Sequence, residues 1–126
     1  MKKEYLLLTV LLVVSLLAVQ ASALENLAFK VSAVEASTFY SDSYNPDLVH
    51  DGIVWRHEMR LPAWYTDYET EADLTIKWKS PVTIAKAIFY DLTSADDNIV
   101  SGTMKFSDGT TVEFGALNPD GTATEV

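Results

Sequence analysis

A turn is the feature that most constrains how this chain can fold. In Phe106-Ser107-Asp108-Gly109-Thr110, Asp-Gly stands between two β-rich runs and supplies the positive backbone angles that a tight hairpin needs. The flanking segments Ile99–Phe106 and Thr111–Leu117 are therefore expected to pair as antiparallel strands. A second turn is predicted at Asn118-Pro119-Asp120-Gly121, where Pro fixes one turn angle and Gly permits another. Leu27–Val34, Leu74–Trp78, Val82–Tyr90 and the start of another at Thr122–Val126 are the remaining expected strands, each rich in β-branched or aromatic residues. No stretch keeps a helical period for three turns, so the expectation is an all-β fold.

Between Ala36 and Asp73 the pattern changes: Ser, Asp, Asn, Tyr and Trp mix without alternation, which predicts long loops over one end of a β-sandwich. The N-terminus differs again. Lys2 and Lys3 precede an apolar run from Tyr5 to Val19, and Ala21-Ser22-Ala23 closes it in the small-x-small pattern of a signal-peptidase site. Residues 1–23 are thus expected to be a cleaved signal peptide and residues 24–126 a single mature domain starting at Leu24. The run is shorter than the roughly 20 apolar residues of a transmembrane helix. With no cysteine, the chain has no site for an N-terminal lipid anchor, no disulfide framework and no thiolate chemistry, so packing alone must hold the core.

Losing the signal removes two lysines and one glutamate and leaves 7 basic against 17 acidic side chains, a net charge of −10 over 103 residues. Nucleic acid and anionic membranes, which are held mainly by clustered Lys and Arg, are excluded as partners by that balance and by basic residues scattered along the chain. The localisation implied is secreted, periplasmic or cell-surface.

Four stretches in order resemble the galactose-binding-like β-sandwich family, the discoidin or coagulation-factor type C modules that often serve as carbohydrate-binding modules. They are Asn26-Leu27-Ala28, Ala36-Ser37, Leu48-Val49-His50-Asp51-Gly52 with a Trp soon after, and Trp78-Lys79-Ser80-Pro81-Val82-Thr83-Ile84. The last third, from Tyr90-Asp91-Leu92 to Ser107-Asp108-Gly109, is similar to a bacterial and fungal branch of that fold. The resemblance implies an antiparallel jelly-roll β-sandwich, with Trp64 in a structural position. Asp73 replaces an expected core aromatic, and Ala63 stands where the family often has Arg. The family's calcium loop is not reproduced either, since Asp51-Gly52 is followed by Ile53 and Val54 rather than by oxygen ligands. No cofactor or metal is expected.

The loop Asp51–Tyr68 gathers Trp55, Arg56, His57, Arg60, Trp64, Tyr65 and Tyr68. Sugars offer apolar C–H faces to aromatic rings and hydroxyls to charged partners, so Trp55, Arg56, His57, Arg60, Tyr65 and Tyr68 are the expected ligand-binding residues. Tyr40 and Tyr44, on the preceding loop, are candidates for the same rim, and Trp55 stays open between core and site. His57-Glu58 would need a second His where Leu61 stands, so the zinc-protease motif is absent. Asp96-Asp97 reads as a solvated turn, since a glycosidase needs carboxyls facing each other across about 5–9.5 Å. Nothing resembles a nucleophile elbow or a phosphate loop. The expected function is non-catalytic recognition of a glycan or cell-surface polysaccharide, with an adhesion or protein-interaction module as the alternative. The family pattern places a further strand after Thr122–Val126, which implies a fragment whose last strand is missing.

Overall fold

A computed structural model of the chain describes residues 23–54, 63–94 and 96–126. The expected signal peptide lies outside these, apart from Ala23. Among the described residues, no helix is long and apolar enough to cross a membrane. The fold is β-rich and antiparallel, with six short strands joined in three ladders among the described residues.

β1 (Ala33–Ala36) pairs with β2 (Leu74–Lys77), in a register running from Ala33 opposite Lys77 to Ala36 opposite Leu74. Ser32 N–H donating to Lys77 O (2.7 Å) and Ser37 N–H donating to Asp73 O (2.9 Å) extend this ladder at both ends. β3 (Ile88–Tyr90) pairs with β6 (Ala123–Glu125), and Ala87 and Val126 add a reciprocal pair of backbone bonds. β4 (Gly102–Lys105) and β5 (Thr111–Phe114) form the predicted hairpin. Its turn differs from the expectation in one respect. Only Gly109 has a positive φ (89°), because Gly109 N–H bonds Phe106 O and Phe106 N–H bonds Thr110 O, which closes a three-residue loop.

Expected strands are shortened where side chains compete for the backbone. Leu27–Val34 begins instead as a 3-10 turn, Leu27–Lys30, because the Asn26 carboxamide accepts the Ala28 N–H (3.0 Å); the strand starts only at Ala33. Val82–Tyr90 is regular only over its last three residues. The region predicted as loops contains two further 3-10 turns, Asp42–Tyr44 and Pro46–Val49, the second capped by Asn45.

The core is small. Val34, Leu92 and Leu117 are the buried apolar side chains among the described residues, joined by one buried carboxylate, Asp91. Asp91 accepts from Leu92 N–H (2.8 Å) and Ile99 N–H (2.7 Å), and so ties together two backbone positions seven residues apart. Phe89 on β3 stacks on Phe114 of β5 (5.2 Å between centroids, 20° between planes) and so couples two of the ladders. Phe114 also covers Gly102, its cross-strand partner, so closely that a Cβ there would collide with the ring.

Candidate functional site

The loops 37–49 and 63–73 leave the Ala36/Leu74 end of the β1–β2 ladder and are fastened together by their backbones. Asp73 N–H donates to Ser37 Oγ (2.9 Å), Asp67 N–H to Thr38 Oγ1 (3.2 Å), Tyr40 N–H to Tyr65 O (2.9 Å) and Tyr65 N–H to Tyr44 O (3.4 Å). Half-buried Trp64 adds an indole N–H to Thr38 O at 3.1 Å. Thr38 therefore serves the opposite loop with both its carbonyl and its hydroxyl. Nothing in the residue string marks Thr38 for this role, since any exposed Thr would look the same.

These bonds align four tyrosines. Tyr65 and Tyr44 meet edge to face at 5.3 Å, Tyr44 and Tyr40 at 5.8 Å, and Tyr40 and Tyr68 at 5.7 Å, a run of T-shaped contacts across both loops. Such contacts are the favoured aromatic geometry and fix the rings relative to one another. Exposure rises along the run: Tyr65 and Tyr44 are half-buried, Tyr40 is 51% exposed and Tyr68 is 86% exposed. Tyr68 is also the one non-glycine residue of the described chain with a positive φ (59°). A side chain in that left-handed region costs roughly 1–2 kcal/mol. The chain thus holds its most exposed aromatic ring at a strained position.

Two of the phenols stay neutral beyond the ordinary tyrosine range. Burial raises the Tyr65 pKa, with the Asp97 carboxylate, Tyr44 and Asp91 adding to the effect. For Tyr68 the first cause is hydrogen bonding with Tyr40, followed by the charge that Tyr40 would carry. At neutral pH the Tyr65 and Tyr68 phenols are uncharged, able to donate and accept hydrogen bonds.

Of the residues expected to bind ligand, Tyr65 and Tyr68 are brought together, and Tyr40 and Tyr44 join them. Trp55, Arg56, His57 and Arg60 lie outside the described residues. The Asp51 carboxylate is engaged locally, its Oδ1 accepting Ile53 N–H (2.7 Å) around Gly52 (φ 82°), which makes a tight turn. Asp96 and Asp97 are exposed, and their N–H groups both donate to Ser94 Oγ (3.2 Å each). Among the described residues no group of three or more His, Cys, Asp or Glu is placed to hold a metal ion.

The fold and site so far define a β-rich domain presenting an aromatic rim. The chain belongs to the family described as a domain of unknown function (DUF7402), whose profile matches residues 26–126. No curated protein and no solved structure matches it.

Proposed function

We propose that this chain is an exported, non-catalytic carbohydrate-binding module, a jelly-roll β-sandwich that recognises a glycan through the tyrosine rim. The observation that carries this reading is Tyr68, which is 86% exposed at a φ of 59° and braced by Tyr40. Backbone strain persists where surrounding structure enforces it, and it gathers at ligand sites. An exposed ring held at such a position offers a flat apolar face for the C–H side of a sugar, and the neighbouring hydroxyls can meet its polar edge. Neutral phenols suit an uncharged ligand on an otherwise acidic domain.

A shallow rim leaves little free energy after the ligand is ordered, so a dissociation constant of about 0.1–1 mM is the expected scale. Titration calorimetry against galactose, glucosamine and wall polysaccharides tests the reading, with Tyr68→Ala and Trp55→Ala as the decisive variants. Both variants are expected to remove binding and leave the domain folded. Unchanged affinity in Tyr68→Ala would move the site elsewhere. Capture of a protein partner that free sugar fails to displace would favour the adhesion alternative.

A further inference from the structure

The opposite end of the β1–β2 ladder opens into a second concavity of about 430 Å³, inside the roughly 300–1,000 Å³ of small-ligand sites. Its walls come from residues 76–82 and Ile84 on one side and from residues 105–107 of the hairpin on the other. Lys77, Lys79 and Lys105 all line it, and no Asp or Glu among the described residues does. Only two other lysines, Lys30 and Lys86, lie in the described chain, and both are paired with glutamates at 2.6 and 2.7 Å. Lys77 is paired as well, with Glu35 at 2.6 Å, but Lys79 and Lys105 have no ion-pair partner among the described residues. On a chain of net charge −9, a cleft lined by three lysines, two of them without an ion-pair partner among the described residues, stands out from the acidic balance.

The lining is not only charged. Half-buried Trp78, whose indole N–H is committed to Leu27 O (3.0 Å), lines the cleft together with Ser80 and Ser107. Two lysines, a tryptophan and two serines along one cleft can supply the complementary groups for a ligand with a carboxylate, an apolar ring face and several hydroxyls. We propose that this cleft binds an acidic saccharide, with Lys79 and Lys105 holding a uronic-acid carboxylate. The site does not depend on the tyrosine rim, and the two would engage different sugars.

The probe is tetragalacturonate, titrated calorimetrically into the full chain beside its methyl ester, which has the same rings and no charge. Tetragalacturonate is expected to bind, to weaken as salt rises and to lose at least about tenfold in affinity in Lys79→Gln/Lys105→Gln. Both lysines are exposed, so that variant should keep the wild-type unfolding temperature. Tyr68→Ala should bind tetragalacturonate like wild type, which separates this cleft from the rim. Equal affinity for the methyl ester, full affinity in the double lysine variant, or no binding by the wild-type chain would each overturn the proposal. Displacement of the saccharide by an equal concentration of sulfate would also overturn it, by showing a bare anion site.

Discussion

At the Ala36/Leu74 end of the β1–β2 ladder, Trp64 bonds Thr38 O and four tyrosines assemble; at the Ala33/Lys77 end, Trp78 bonds Leu27 O and three lysines assemble. The anchoring device is the same at both ends. A half-buried indole reaches a carbonyl 26 residues away in one case and 51 in the other. Few side chains are buried among the described residues, and a directional bond from a rigid ring adds a constraint on the long loops. The two ends differ in the side chains gathered around the anchor. Tyrosines pack on each other and produce an aromatic rim. Lysines line the cleft at the other end.

Gly102→Ala should have the largest effect and break both ends together. The new methyl group would displace Phe114 and with it the Phe89 stack, at a cost of about 1–3 kcal/mol. Denaturant unfolding measures this, and a variant as stable as wild type would show that Phe114 can move freely.

The anchors should break one end at a time. Trp64→Phe and Trp78→Phe each remove an indole hydrogen bond worth about 0.5–1.5 kcal/mol and leave a carbonyl to find water. Trp64→Phe is expected to impair neutral-glycan binding only, and Trp78→Phe acidic-saccharide binding only. If either variant affects both ligands equally, the ends are not independent.

Tyr68→Gly sharpens the comparison further, because it removes the ring and the backbone strain at once. Stability is expected to stay level or rise by up to about 1 kcal/mol while rim binding disappears. Thermal unfolding beside calorimetry gives both readings, and a clear drop in unfolding temperature would mean that Tyr68 is there for packing.

The smallest effects belong to pH. Asp108 and Asp120 have pKa values held below the ordinary 3.8: for Asp108 by the backbone N–H of Thr110 first, for Asp120 by the hydroxyl of Thr122 first. A depressed folded pKa gives stability that is present above about 3.8 and lost as pH falls through the lower folded value, so both turns should weaken in acid. The raised Tyr65 pKa works in the other direction, with stability present below about pH 10 and lost as pH rises through the folded value. Ultraviolet titration of Tyr65→Phe against wild type isolates that tyrosine. If wild type forms one more phenolate than Tyr65→Phe around pH 10, the burial of Tyr65 does not persist in solution.

Much of the local structure was legible in the residues. Asp-Gly at 108–109 announced the hairpin, and Asp-Gly at 120–121 the turn before β6, because few residues other than glycine accept a positive φ. Loss of β alternation from Ala36 to Asp73 marked the loop region, and its aromatic content marked Tyr65 and Tyr68. Strand limits were less legible: Asn26 looks like any polar residue until its carboxamide is seen capping a 3-10 turn. The lysines looked scattered along the chain, and the Lys77-Trp78-Lys79 triplet was the one local sign of the cleft.

By itself, then, the sequence determined the β-rich class, the turn positions, the acidic balance and the residue types available for recognition, because each depends on neighbours a few positions apart. Which tyrosines stack, which carbonyls the two indoles reach and that Lys79 and Lys105 line one cleft were decided only by tertiary structure. Those juxtapositions join residues tens of positions apart, and the choice among possible partners is made by the pairing register of β1 with β2 and by the folding back of the β4–β5 hairpin.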